Sequence, residues 1–257
     1  VDRVRGLQVD FICVAYSPGK LVRSDTVATA YTIKQRVGTD VVFNLATRDM
    51  NKLALGGHLL GAQMLGLENA VVLQGDPFNA RELEQVRPVD DFTPTGLVGA
   101  ISALNDGLDH RGAKLGMPTD FCIGATLDLG RDLDREARLA WRKVEAGANF
   151  FITQPFYDPD RRRRFLDLYQ AAASEPLSAP VFWGLQVLEK DGVLLGEIPD
   201  RMTQELEKGR PGTDIAVEQL GALVDAGVRG VYLVPPILKG GVRDYEAAQR
   251  VLEQFRD

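Results

Sequence analysis

The sequence predicts an α/β protein of the (β/α)8 barrel class, and three observations carry that prediction. Short apolar runs rich in Val, Ile and Phe recur along the chain, each followed by a stretch of helical periodicity. The runs are continuous rather than alternating, as parallel strands covered by helices should be. Glycine stands just before several of them, at Gly66, Gly147 and Gly227, where a left-handed residue ends a helix.

The units follow in order. "DFICVAY" (10–16) leads through "SPGKLVRSD" to a helix from about Thr26 to Gln35. "DVVFNLA" (40–46) leads through "TRDMNK" to an amphipathic stretch reaching Leu65. "NAVVLQGD" (69–76) precedes a long loop and a helix from about Gly96 to Leu108. "DFCIGATLD" (120–128) precedes a helix over Asp134 to Ala146, and "NFFITQPFYD" (149–158) one over Pro159 to Ala173. "APVFWGLQVL" (179–188) gives way to a loop and helical turns up to Ala226, and "RGVYLVPPI" (229–237) to a last helix over Asp244 to Phe255. Three helices enter their strands through one kind of phrase: "LGLENAVVL", "AGANFFIT" and "AGVRGVYLV". That repetition argues for crossover helices between parallel strands. Seven units, and an opening "VDRVRGLQVDFICVAY" that reads as a helix tail running into a strand, place the eighth unit upstream of Val1. An open doubly wound sheet would need a Gly-rich dinucleotide turn after an early strand, and none is present. No Ser/Gly linker or composition break divides the chain, so residues 1–257 read as one barrel domain.

Composition narrows the function. The chain is 45% hydrophobic and 26% charged with a net charge of −6, ordinary for a globular protein and unsuited to a nucleic-acid surface. The densest basic run, Arg161 to Arg164, reads as the solvated first turn of a helix. The two cysteines, Cys13 and Cys122, sit in apolar runs and read as small buried hydrophobes in a reducing cytoplasm. No Cys/His spacing suggests a metal, and no apolar stretch is long enough to span a membrane.

In a β/α barrel the ligand site lies at the C-terminal ends of the strands. Here those ends carry Ala15-Tyr16, Asn44 with Thr47-Arg48-Asp49, Gln74-Gly75-Asp76, Thr126 with Asp128, Gln154, Gln186 and Val234-Pro235. His58 falls mid-helix and His110 in a loop, so neither Ser/His nor Cys/His catalysis has its parts at the rim. A strand-end lysine for a Schiff base is also missing. Amides around one acid suit a heteroaromatic ring with donors and acceptors on both edges, such as a flavin or a pterin. Asp76 has two readings. As a turn residue its side chain would accept from nearby backbone N–H groups. As a ligand residue it would point into the barrel mouth, with Gly75 allowing close approach and Pro77 stiffening the exit.

"LGLENAVVLQGDP", "TRDMNK", "FCIGATLD", "WRKVEAGANFFITQPFYD" and "GEIPDRM", in this order and spacing, resemble the methylenetetrahydrofolate reductase family, and more the short bacterial type than the long eukaryotic one. The resemblance implies a cytoplasmic flavin oxidoreductase of one-carbon metabolism and methionine biosynthesis. It would pass hydride through FAD, or FMN in some members, to 5,10-methylenetetrahydrofolate. Asp76 would bind the pterin and support its cationic iminium form. Gln154 and Gln186 would contact the substrate, although the family's Gly-Ile-Leu-Pro is "GLQVL" here. The flavin would fall to Ala15, Tyr16, Asn44, Thr47, Arg48, Asn51, Gln74, Gly75, Asp76, Thr93, Pro94, Thr126, Asp128, Glu136 and Lys143. Arg48 and Lys143 would neutralise the diphosphate, unless Lys143 is simply an exposed helix lysine. The family's proton-donating Glu belongs to a first strand that is expected upstream of Val1. The electron donor stays open between a reduced nicotinamide, a ferredoxin and a partner subunit, as does a homo-oligomer. A non-redox pterin-binding barrel serving a partner methyltransferase or reductase complex is the alternative.

Overall fold

The computed structural model describes residues 1–16 and 20–254. It holds seven strands and eight α-helices among them: β1 (Phe11–Val14), α1 (Thr26–Val37), β2 (Asp40–Ala46), α2 (Lys52–Met64), β3 (Asn69–Leu73), α3 (Pro94–Asn105), β4 (Cys122–Leu127), α4 (Leu133–Glu145), β5 (Phe150–Pro155), α5 (Pro159–Ala173), β6 (Val181–Gln186), α6 (Asp200–Glu207), α7 (Gly212–Asp225), β7 (Val231–Val234) and α8 (Tyr245–Glu253). Two compact units divide the chain, residues 1–126 with 142–150, and 127–141 with 151–257.

In the first unit β1 to β4 pair in parallel in chain order, with Cys13 opposite Val42, Asn44 opposite Val71 and Val71 opposite Gly124. The helices start where the sequence supplies an acceptor. Asp25, Asn51 and Thr93 cap α1, α2 and α3 by accepting from the N–H three residues on. Pro94 fills the first position of α3, where no N–H is needed. Gly38 closes α1 in the left-handed region. Phe43, Leu45, Leu55, Leu59, Leu97 and Ile101 are fully buried, and Phe43 meets Phe121 edge to face at 6.3 Å between ring centres. Gly124 makes room for Phe150: a Cβ there would lie 2.4 Å from that ring. Helix α2 carries three glycines, Gly56, Gly57 and Gly61, at which an added Cβ would meet nothing within 4 Å.

In the second unit β5, β6 and β7 pair in parallel in chain order. The β5 register shifts between Ile152 and Pro155. Thr153 repairs the ladder there, its Oγ1 accepting from Gly184 N at 2.7 Å and donating to Gln154 O at 2.9 Å. A Cβ on Gly184 would stand 2.5 Å from Thr153 O, so only glycine fits. One cluster joins Tyr157, Leu188, Met202, Leu206 and Ile215, and another joins Leu185, Val187, Ala216, Leu220 and Val251.

The expected units are all present, with differences that have physical causes. "FYD" after β5 is apolar because Phe156 and Tyr157 pack inward, not because the strand continues. The stretch up to Ala226 is two helices, α6 and α7, joined by an ion-pair ring of Arg201, Glu205, Arg210 and Glu218. Phe255, the expected end of the last helix, lies outside the described residues. The cysteines are not buried. Cys122 is the exposed first residue of β4, and Cys13 is half-buried, donating its Sγ to Asn44 Oδ1. The Arg161–Arg164 turn is only partly solvated. Arg161 reaches back to the carbonyls of Leu129 and Arg131, and the Arg162 guanidinium lies 5.1 Å from the centre of the Trp183 ring.

Candidate functional site

In the first unit the ends of β1, β2 and β3 are organised around Arg48. This side chain is 5% exposed and sits one turn before α2. Its Nε and one terminal nitrogen grip both carboxylate oxygens of Asp49, at 2.6 and 2.7 Å. The other terminal nitrogen donates to Asp76 O at 2.8 Å. Its plane covers the Phe78 ring at 4.4 Å from the ring centre. Asp49 also accepts from the Tyr16 phenol, and burial together with that carboxylate pushes Tyr16 up to about 12. The guanidinium therefore has a fork partner, a carbonyl and an aromatic face.

That clamp fixes the Gln74-Gly75-Asp76 turn. Gly75 is left-handed at φ 88°, and a Cβ on it would press on Arg48 Cβ at 3.2 Å. Thr47, fully buried, ties its N–H to Leu73 O and its hydroxyl to Gln74 O. Asp76 itself is exposed, and no hydrogen bond from the described residues reaches its carboxylate. The turn is held by backbone and by Arg48, not by the acid. A cleft of ≈ 280 Å³ opens beside this clamp, lined among others by Lys20, Arg48, Asp49, Phe78 and Glu82. Lys20 closes one wall by donating to Pro77 O and to Glu82 Oε2.

The candidate residues of the first unit sort by what their side chains can reach. Ala15, Gln74 and Asp76 are exposed, and Tyr16, Asn44, Gly75 and Thr126 half-buried, so these can touch a ligand. Asn51 and Thr93 are helix caps, Pro94 is a first-turn residue, and Thr47 and Arg48 support the turn. Lys143 is no exposed helix lysine: it is 7% exposed and donates to Thr126 O at 2.7 Å, at the end of β4.

In the second unit Gln154 is exposed near the end of β5. Asp128 is locally engaged, accepting from Gly130 N and Arg131 Nε, while buried Glu136 accepts from Asp128 N. Gln186 is 1% exposed, and both ends of its amide are taken by the loop that follows. Phe78 and Lys20 were not singled out from sequence; Asp49 was read among the strand-end groups, but its role as the partner of Arg48 was not. Among the described residues no group of three or more His, Cys, Asp or Glu is arranged to hold a metal, and no helix is long and apolar enough to cross a membrane.

A family model described as methylenetetrahydrofolate reductase matches residues 1–235. The chain belongs to that family. It is 23% identical over 236 residues to methylenetetrahydrofolate reductase 2 of Schizosaccharomyces pombe, covering 84% of this chain and 35% of the relative. To methylenetetrahydrofolate reductase 2 of Saccharomyces cerevisiae it is 24% identical over 226 residues, covering 79% and 35%. The chain thus spans about a third of the length of these reductases. Among solved structures, a Clostridium thermocellum protein described as binding two copies of 5-methyl-5,6,7,8-tetrahydrofolic acid superposes with a TM-score of 0.64 at 14% identity, over 99% of this chain and 85% of the other. The EDTA monooxygenase of Chelativorans sp. BNC1 superposes with a TM-score of 0.56 at 12% identity, over 98% and 84%. These likenesses show the fold, the β/α-barrel class that the repeated strand–helix units predict.

Proposed function

We propose that this chain is the catalytic barrel of a flavin-dependent reductase that converts 5,10-methylenetetrahydrofolate to 5-methyltetrahydrofolate. The observation that carries the reading is Asp76. Its turn is built without its carboxylate, which stands exposed at the end of β3 with no hydrogen bond from the described residues. An exposed acid that accepts no hydrogen bond from the described residues is suited to meet a cationic ring. Family membership over residues 1–235 supplies the chemical class.

The residues of the first unit fit a flavin ring better than they fit its diphosphate through Arg48. Gln74, Asn44 and Thr126 offer uncharged donors and acceptors around the ends of β2, β3 and β4, and Gly75 lets the turn lie close against Arg48. Arg48 is engaged by Asp49 and Lys143 by Thr126 O, so a diphosphate would share one of these two cations with its present acceptor. A bound FAD or FMN would supply the hydride. Asp76 would orient the pterin and stabilise positive charge on the iminium as it forms. Arg48 would hold the Asp76 backbone in register for that task. Tyr16, neutral at physiological pH, would keep the Asp49 acceptor in place.

The purified protein's visible spectrum tests the reading. A flavin band near 450 nm, bleached under anaerobic reduction and restored by 5,10-methylenetetrahydrofolate, is the expected result. Equilibrium dialysis of the apoprotein against FAD and FMN covers loss of cofactor in purification. The solved neighbour that binds methyltetrahydrofolate supports a second reading, a folate-binding barrel without redox chemistry. It predicts folate binding with no affinity for either flavin.

A further inference from the structure

We propose that Lys20 is a positioning residue for Asp76: it reaches from the loop after β1, past β2, to hold the Pro77 carbonyl, and is itself held by the carboxylate of Glu82. Its part in the reaction rests on the reductase reading above; the tie between the two loops does not.

The far end of the tie is anchored by local sequence. "NARE" (79–82) closes a capping box on the short 3-10 turn Glu82–Glu84. Asn79 Oδ1 accepts from Glu82 N at 3.0 Å, and Glu82 Oε2 accepts from Asn79 N at 2.7 Å. The same Oε2 accepts from Lys20 Nζ at 2.7 Å, and Nζ also donates to Pro77 O at 3.1 Å. An ion pair between two free surface side chains contributes little, because both must be ordered to form it. Here the Glu82 carboxylate is already ordered by the capping box, and the two side chains are only 20% and 30% exposed. Lys20, helped by the Asn79 N–H, holds the Glu82 carboxyl below the ordinary carboxylate range. At the near end Lys20 lies in the left-handed region at φ 56°, which is strained for a residue with a Cβ and persists where its contacts impose it.

The consequence falls on the turn after β3. Thr47 takes Leu73 O with its N–H and Gln74 O with its hydroxyl, and Arg48 donates to Asp76 O. Both holders stand at the end of β2 and act on the turn as far as Asp76. Lys20 grips the chain beyond it. The Pro77 ring fixes φ, so holding the Asp76 and Pro77 carbonyls leaves that residue little torsional freedom. Asp76 thus stands between a held segment before it and a held residue after it. Its carboxylate accepts no hydrogen bond from the described residues, so its direction is set by this backbone. Two cations on successive carbonyls, each paired with its own acid, give the exposed carboxylate a fixed base.

The full chain tests both parts through Lys20→Gly, which removes the ammonium group and relieves the left-handed strain together. Carbon NMR titration of the Glu82 carboxyl reads the tie without any ligand. In Lys20→Gly it moves up toward the ordinary carboxylate value, and in Lys20→Arg it stays low. A Glu82 titration unmoved in Lys20→Gly overturns the tie. The melting temperature of Lys20→Gly stays within about 5 °C of wild type, because the lost ion pair is offset by the lost strain. A larger fall assigns Lys20 to the fold and overturns the positioning role. The reaction is read on flavin-loaded protein by single-turnover oxidation with saturating 5,10-methylenetetrahydrofolate. The rate falls about tenfold in Lys20→Gly and returns to within about threefold of wild type in Lys20→Arg. In an Asp76→Asn background the same substitution changes the rate by less than about twofold, since a residue acting through Asp76 has nothing left to position. A Lys20→Gly rate within about threefold of wild type, or an equal fall in both backgrounds, overturns the positioning role. A wild-type protein that does not react with the folate refutes the reductase reading and the positioning role with it, while the Glu82 titration still decides the tie.

Discussion

Replacing Asp76 by Asn separates the two roles a strand-end acid can have. The turn should not register the change. Gly75 supplies its left-handed conformation and Arg48 holds the Asp76 carbonyl at 2.8 Å, while the carboxylate has no hydrogen bond from the described residues. Urea unfolding of Asp76→Asn is therefore expected within about 0.5 kcal/mol of wild type. The reaction should register it strongly. A carboxylate about 4 Å from a unit positive charge contributes about 1 kcal/mol in bulk water and about 4 kcal/mol at the effective dielectric of a protein surface. Asp76 is exposed in the free protein, and a bound pterin would exclude much of that water, so the working value is about 3 kcal/mol, or roughly 10²-fold in rate. The assay is single-turnover oxidation of the photoreduced protein by 5,10-methylenetetrahydrofolate, which needs no natural electron donor. A rate within about threefold of wild type, under about 1 kcal/mol, would refute the role proposed for the carboxylate.

Three further outcomes are expected. Arg48→Lys keeps the charge but loses the fork on Asp49; with Arg48 buried and Asp49 partly solvated, the loss should be about 2–4 kcal/mol in urea unfolding, and under about 0.5 kcal/mol would show that the clamp is dispensable. Tyr16 should be seen by ultraviolet titration as a phenol ionising near 12, moving down in Asp49→Asn. Its ordinary value is about 10, so the unfolded phenol loses its proton first; the associated stability is complete below about pH 10 and falls as the pH rises through 12. Gly184→Ala should weaken the β5–β6 pairing by about 3 kcal/mol or more, since the new methyl would meet Thr153 O at 2.5 Å; calorimetry showing an unshifted transition would contradict that geometry.

The strand–helix repeat was legible because the physics that builds it is local. A parallel strand covered by helices is an apolar run, and a helix must be started and stopped by residues that satisfy its end groups. Asn51, Thr93 and Asp158 show this in one register after another. The rim was legible for the same reason, since strand ends can be read off once the strands are known. What each rim residue does was not. Gln186 and Gln74 are the same residue type at equivalent strand ends, yet one is 1% exposed and bound to a loop while the other is exposed. Only the path of the segment 189–198 decides between them, and that path is tied by Val193 N–H to Ile237 O and by Leu195 N–H to the Gln186 side chain, with no periodic pattern. Arg48 carries the same lesson in charge. A strand-end arginine looks like an anion site until its neighbour Asp49 is seen to occupy the fork. Cys122 departs from its reading at a strand margin, where a residue can belong to an apolar run and still lie at its solvated first position.

The three glycines of α2 bear on how far this protein stands from its own optimum. Gly56, Gly57 and Gly61 keep right-handed backbone, face open space, and close against no neighbouring chain within the molecule. Each costs the helix about 1 kcal/mol relative to alanine, because an unfolded glycine has more conformations to lose. Helix α2 follows directly from the Asn51 cap and the Arg48 clamp, so this cost falls on the element next to the turn that carries Asp76. Alanine at these positions would fit without strain and raise the melting temperature. The present sequence instead keeps stability in reserve in the helix that follows the Arg48 clamp, where three alanines could recover it without touching the core.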